Sequence, residues 1–158
     1  MGMTMSFTLE KATTDRLEEC QEVFKDSLLY NTYSRENSLQ NWVKEGVERG
    51  EVYLALSSSS EVIGYMWIEW YGFVGAFPYL ALFGVKKQYR GQGVGRSMLR
   101  IYEGLCREMG FKKCTMMVSK PNVRARRLYQ SEGFVKRGEV PGFVFPDVDE
   151  FIMIKDLK

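Results

Sequence analysis

The sequence predicts an α/β fold, in the α+β sense of a central mixed, mostly antiparallel sheet flanked by helices. Three observations predict it. Short β-like runs alternate along the chain with segments of helical periodicity. A strand–helix–strand unit from Tyr79 to Val118 requires a parallel pair joined by a crossover. The chain has 158 residues, 45% apolar and 27% charged, which suits one domain, 1–158, with a substantial core.

The elements are expected in the order β-α-α-β-β-β-α-β-α-β-β. A strand at Ser6–Lys11 comes first. A helix from about Asp15 to Leu29 would bury Leu17, Cys20, Val23, Phe24 and Leu28. A second helix over Leu39–Arg49 has Asn37 or Ser38 as its N-cap, and Gly50 stops it. Strands follow at Val52–Leu56, Val62–Trp70 and Tyr79–Val85, with Ser57–Ser60 as a hairpin loop and glycines at 72 and 75 marking a turn. The long helix Gly93–Met109 places Val94, Met98, Ile101, Tyr102, Leu105 and Met109 on one stripe, and Gly110 ends it. A strand at Lys113–Val118, a short helix Val123–Ser131 capped by Asn122, and strands near Phe134–Val140 and Glu150–Ile154 complete the order.

Three cysteines with no CxxC spacing, and no histidine anywhere, exclude the usual metal frameworks and read as reduced thiols of a cytoplasmic protein. Met1–Phe7 lacks the basic start and long apolar stretch of a secretory signal. Met1-Gly2 with Ser6 matches the short acylation pattern, which often matches by chance. The longest uncharged run, Tyr71–Val85, is too short to span a bilayer, so no membrane is expected. Charge is unevenly placed: residues 1–80 hold 6 basic and 12 acidic side chains, a balance of −6, and residues 81–158 hold 16 and 8, a balance of +8. A basic half suits an anionic ligand and an acidic half a cationic one. No nucleic-acid motif accompanies the basic half, so no nucleic acid is expected.

The most informative segment is Arg90-Gly91-Gln92-Gly93-Val94-Gly95, between a strand and an amphipathic helix. Glycines admit positive φ and close approach of a ligand to the backbone, and a helix start turns N–H groups and partial positive charge toward it. A pyrophosphate is the natural guest. A dinucleotide fingerprint would need glycine where Arg96 stands, and a Walker loop would need lysine there, so both fail. The second segment is Asn122-Val-Arg-Ala125-Arg-Arg-Leu128-Tyr129, followed by Gly133-Phe134. There an amide, a small residue and a phenol share one helix edge.

In this order and spacing the two segments resemble the GNAT N-acetyltransferase superfamily. The specific motifs cover about residues 78–135. The resemblance implies the GNAT fold and acetyl-CoA as cosubstrate, with no metal. It implies that the amides of Arg90, Gly91, Gln92, Gly93, Val94, Gly95 and Arg96 hold the pyrophosphate. Phe83, Gly84 and Val85 would pair with the pantetheine arm, which would lie where this strand splays from Lys113–Val118. Asn122 and Ala125 would border the arm, and Tyr129 would act as general acid at the thioester sulfur. The amine acceptor, of a small molecule or peptide, must lose a proton to attack. Family members often carry a carboxylate on the strand beginning at Tyr79, but no acid lies between Trp70 and Val85. Glu69 is the candidate general base, with Tyr79 or a water as substitutes.

The acceptor side would draw on Tyr30, Tyr33, Trp42, Trp70, Tyr71, Phe73, Phe143 and Phe145, with Glu36, Asp147 and Asp149 nearby. The protein would act as a monomer or homodimer. The alternative is a non-catalytic acyl-CoA-binding regulatory module.

Overall fold

The structure, a computed structural model, describes residues 5–158; Gly2 of the acylation-like pattern lies outside them. Seven strands are ordered β1-β2-β3-β4-β5-β7-β6. They are β1 (Thr8–Lys11), β2 (Val52–Leu56), β3 (Val62–Phe73), β4 (Phe77–Val85), β5 (Lys113–Ser119), β6 (Val135–Val140) and β7 (Glu150–Asp156). The helices are α1 (Leu17–Glu22), α2 (Leu28–Tyr33), α3 (Ser38–Glu48), α4 (Val94–Glu108) and α5 (Val123–Ser131). The residues fall into two compact units, one formed by the chain up to Ile68 with Leu82–Leu99, the other by Glu69–Ala81 with Arg100–Lys158.

In the first unit β1, β2 and β3 pair antiparallel, with Leu9 opposite Ala55 and Leu54 opposite Tyr65. Phe24, Leu54, Ile63, Tyr65, Met66 and Met98 are fully buried there. The Tyr65 hydroxyl donates to Val43 O at 3.0 Å, which satisfies the buried polar atom and ties α3 to β3. Phe24 meets Tyr65 edge-on at 5.3 Å.

The single first helix expected over Asp15–Leu29 is instead two. α1 ends at Glu22, Asp26 takes φ 56, and Ser27 caps α2 by accepting the Tyr30 amide at 3.0 Å. Leu28, expected in the buried stripe, is therefore exposed. α3 begins after Asn37, but Asn37 is left-handed and its side chain makes no cap bond; Gly50, at φ 68, follows the helix.

In the second unit β4 and β5 run parallel in the register Tyr79↔Thr115 and Leu80↔Met116, as the crossover requires. β5–β7 and β7–β6 are antiparallel. α4 packs by its buried Tyr102, whose hydroxyl donates to Thr115 O at 2.9 Å. The α4 stripe runs through Val94, Met98, Leu99, Tyr102 and Cys106; Met109 lies beyond the helix end and is 50% exposed. One face of β7 is tied to helical elements: Lys155 donates to Glu103 on α4 at 2.9 Å, and Arg126 on α5 lies over the Phe151 ring.

The β3–β4 hairpin turns at Phe73-Val74-Gly75-Ala76, closed by Ala76 N donating to Phe73 O at 3.0 Å. Val74 and Gly75 both have positive φ, 50 and 71, as a type I′ turn demands. A β-branched residue is strained there, and Val74 is 78% exposed, so no packing offsets the strain. Val74→Asn is expected to raise unfolding free energy by about 0.5–1 kcal/mol. Urea denaturation checks this, and an unchanged midpoint would refute the strain.

Candidate active site

The donor-loop residues lie in the first unit. Phe83, Gly84 and Val85 form the last turn of the β4 pleat and are half-buried. A Cβ on Gly84 would stand 2.5 Å from the Phe24 ring, so the strand approaches the core there only as glycine. After β4 the chain makes a short 3-10 turn, Lys87–Tyr89, and then the glycine loop. Gly91 and Gly93 take φ 76 and 84, conformations that side chains rarely adopt. Gly95 lies inside α4. The helical ladder starts with Ser97 N donating to Gly93 O at 3.0 Å, so the Val94, Gly95 and Arg96 amides precede it. Gly91 and Gln92 are exposed, and Gly93 is half-buried.

Side-chain charge around the loop is organised differently from the sequence count. The Arg90 guanidinium is a strut: Nε donates to Val85 O at 2.8 Å and Nη1 to Asp26 O at 3.0 Å. It thereby holds the end of β4 and the break between α1 and α2. Lys86 pairs with Glu61 at 2.9 Å, and Tyr89 donates to the same carboxylate. The Tyr89 hydrogen bond first, then Lys86, hold the Glu61 carboxyl below its ordinary range. The Arg90 and Lys86 side chains are thus engaged with protein groups beside the loop.

In the second unit Asn122 caps α5, its Oδ1 accepting the Ala125 amide at 3.2 Å. Its side-chain NH2 is therefore the group with which it would meet a ligand. Ala125 is half-buried and Tyr129 is 7% exposed, with its ring edge-on to Phe134 at 6.3 Å. Burial, then the neighbouring Tyr79, push the Tyr129 phenol well above its ordinary value. It stays protonated throughout the neutral range and so keeps an O–H that can donate.

Glu69 is half-buried on β3. It neighbours Tyr79 across Gly72, where a Cβ would lie 2.7 Å from Glu69 Cβ and 3.0 Å from Tyr79 Cβ. The Tyr79 phenol is raised by burial first, then by Glu150, then by Glu69. Glu150, on β7, is a buried carboxylate that sequence reasoning passed over in favour of Asp147 and Asp149. Asp149 Oδ1 accepts the Gly142 amide at 3.1 Å and so shapes its own loop. The position of Glu150 at the start of a strand, beside two loop acids, gave no signal that it alone would be buried.

The aromatic residues expected on the acceptor side divide. Tyr33 is buried against Trp42 at 5.5 Å in the first unit, a packing pair. Trp70 stacks on Phe111 at 6.3 Å, and Tyr71 meets the same ring edge-on, in the second unit. Tyr30, Tyr71 and Phe143 are exposed. Cys20, Cys106 and Cys114 are buried thiols, and burial pushes Cys20 up to about 11. None is a usable nucleophile. Among the described residues no three His, Cys, Asp or Glu side chains form a metal-binding group, and no helix is long and apolar enough to cross a membrane.

The family model described as Acetyltransferase (GNAT) family matches residues 11–134. The SPbeta prophage-derived uncharacterized N-acetyltransferase YokL of Bacillus subtilis is 30% identical over 115 residues, 69% of this chain and 62% of the relative. The uncharacterized N-acetyltransferase YycN of the same organism is 31% identical over 84 residues, 49% of this chain and 50% of the relative. The matches thus span about half to three fifths of those relatives' length. Ard1 from Thermoplasma volcanium shares the fold, with a TM-score of 0.76 at 19% identity, covering 98% of this chain and 99% of that one.

Proposed function

Because the chain belongs to the acetyltransferase (GNAT) family, we propose that it is an enzyme transferring the acetyl group of acetyl-CoA to a primary amine of a small molecule or peptide by direct attack. The observation that carries this reading is a protonated, buried Tyr129 at the end of a capped helix, in a chain that also holds a glycine loop opening α4. A module that only bound acyl-CoA would need the loop but not the phenol.

Each unit has its part. The Gly91–Arg96 backbone and the start of α4 offer N–H groups to the pyrophosphate. Residues 83–85 lie beyond the β4–β5 register in sequence and offer strand edges to the pantetheine arm. The Asn122 NH2 and the Ala125 surface border that arm. The Tyr129 O–H hydrogen-bonds to the sulfur as charge develops on it. Full transfer from a phenol raised above its ordinary value to a thiolate whose ordinary value is about 8.5 is uphill. The hydroxyl therefore acts by stabilising the departing thiolate, and solvent supplies the proton. The buried thiols fit a reducing cytoplasm.

Acetyl-CoA at 100 times its dissociation constant should stabilise the fold by about 2.7 kcal/mol. Its melting temperature should rise with acetyl-CoA and not with NAD; an equal rise with NAD would overturn the donor assignment. Release of free thiol with spermidine, tyramine or a tetrapeptide with a free N-terminus tests the transfer itself.

A further inference from the structure

The α5 helix carries Tyr129 in its last turn, and it has only nine residues. A helix that short is marginal by itself, so its place depends on tertiary ties. Its C-terminal end closes in a Schellman pattern. Phe134 N donates to Tyr129 O at 3.0 Å and Gly133 N to Gln130 O at 3.0 Å, with Gly133 at φ 92. The Glu132 amide reaches Leu128 O and Tyr129 O, each at 3.1 Å. The Tyr129 carbonyl is thus bonded directly to Glu132 and Phe134, the residues that follow the helix.

Lys155 of β7 fastens that end to the rest of the second unit. Its Nζ donates to Glu132 O at 2.6 Å and to Glu103 Oε2 on α4 at 2.9 Å. Its stem passes Gly133 so closely that a Cβ there would stand 3.2 Å from Lys155 Cε. Gly133 therefore serves the helix turn and also admits the lysine. The Glu132 carboxylate is held as well: Arg100 Nε donates to Oε1 at 2.7 Å and Nη2 to Oε2 at 3.4 Å. Glu103 is 4% and Glu132 9% exposed, so both acids are buried at the end of one short helix. Burying a charge is costly unless it is paired. Such a pair contributes little net stability relative to apolar packing; what its hydrogen bonds do fix is direction. The other tie of α5 to β7, Arg126 over the Phe151 ring at 4.7 Å, acts one turn earlier.

We propose that Lys155 is a positioning residue of the reaction: by holding the carbonyl that follows α5 against α4 and β7, it fixes where the Tyr129 hydroxyl stands. This rests on the acetyltransferase reading above, in which that hydroxyl stabilises the departing thiolate. A preorganised donor works only at hydrogen-bond distance and angle, and a displacement of about 1 Å can cost on the order of 10²-fold in rate. The path from the ammonium to the phenol is short. It runs through the Glu132 carbonyl, the Glu132 amide and the Tyr129 carbonyl, every step a covalent or hydrogen bond within the second unit. Lys155 acts through this path and not on either substrate.

Lys155→Met keeps the stem and removes the ammonium. With whichever of spermidine, tyramine and the tetrapeptide the wild type turns over fastest, kcat should fall about tenfold. Acetyl-CoA affinity by calorimetry should stay within about twofold. In a Tyr129→Phe background the same substitution should lower kcat by less than about twofold, because the group it positions is gone. A merely structural role would lower both backgrounds alike. Lys155→Met leaves the Glu103 carboxylate buried without this cation, which puts the fold at risk. Glu103→Gln combined with Lys155→Met removes both charges, keeps their volume, and should give the same two results. The proposal is overturned if a folded variant keeps half of wild-type kcat, if the loss is equal in the two backgrounds, or if donor affinity falls along with kcat. It is overturned too if the combined variant does not fold, since the lysine would then serve the fold alone. A large Tyr129→Phe loss beside a normal Lys155→Met removes only this inference. A normal Tyr129→Phe removes the role of the phenol and this inference with it. A wild type that releases no thiol with any of the amines removes the acetyltransferase reading as well.

Discussion

Tyr129→Phe should lower turnover about 10²–10³-fold, the loss expected when one preorganised donor to a developing negative charge is removed. The substitution keeps the ring, so the edge contact with Phe134 survives and the melting temperature should hardly move. Donor affinity should also hold, because the hydroxyl matters mainly as charge builds on sulfur. The raised phenol stays protonated through the neutral range, so the deficit should be the same from about pH 6 to pH 9. If Tyr129 served only the core, turnover would be nearly normal, and a mutant with at least about half of wild-type turnover would refute the catalytic role.

Gly93→Glu should abolish acetyl-CoA binding by calorimetry. Gly93 has φ 84, so any side chain is strained there by about 1–2 kcal/mol, and the apo protein should melt somewhat lower but still fold. The larger effect is on the ligand: a carboxylate would stand at the helix start where the diphosphate is expected, adding repulsion to bulk. Gly95→Ala makes a useful contrast. Gly95 is helical, so alanine should not strain the backbone, and any loss of binding would report ligand approach alone. Wild-type affinity in Gly93→Glu would end the phosphate-loop assignment.

Much of this architecture was legible in the chain because local signals and burial agreed. The limits of β2 and α5 were read to the residue, since Gly50 and Gly133 supply positive φ beyond their helices and Asn122 offers a cap within reach of the Ala125 amide. The parallel β4–β5 pair followed from the helical connection between them. The first helix was misread because apolar spacing continued past its end. Ser27 caps a new helix there, a local signal that the apolar spacing outweighed, and Arg90, 64 residues from Asp26 in sequence, binds the carbonyls of Lys25 and Asp26 at the break. The same arginine spends its side chain on backbone carbonyls, and Lys86 is paired with Glu61, contacts that no local pattern around the glycine loop contains.

By itself the sequence determined the strand–helix order, the glycine loop at a helix start and the amide-to-phenol spacing of α5. All three depend on residues within a few positions of one another, where backbone geometry is set by φ restrictions, caps and side-chain periodicity. Only the tertiary structure decided which charges meet carbonyls or carboxylates, which phenols are held neutral, and which of the C-terminal acids is buried. Burial depends on the partners that strand register brings together, so Glu150, four residues past the last proline and unremarkable in sequence, is buried on β7 opposite Ser119 of β5 and Val140 of β6.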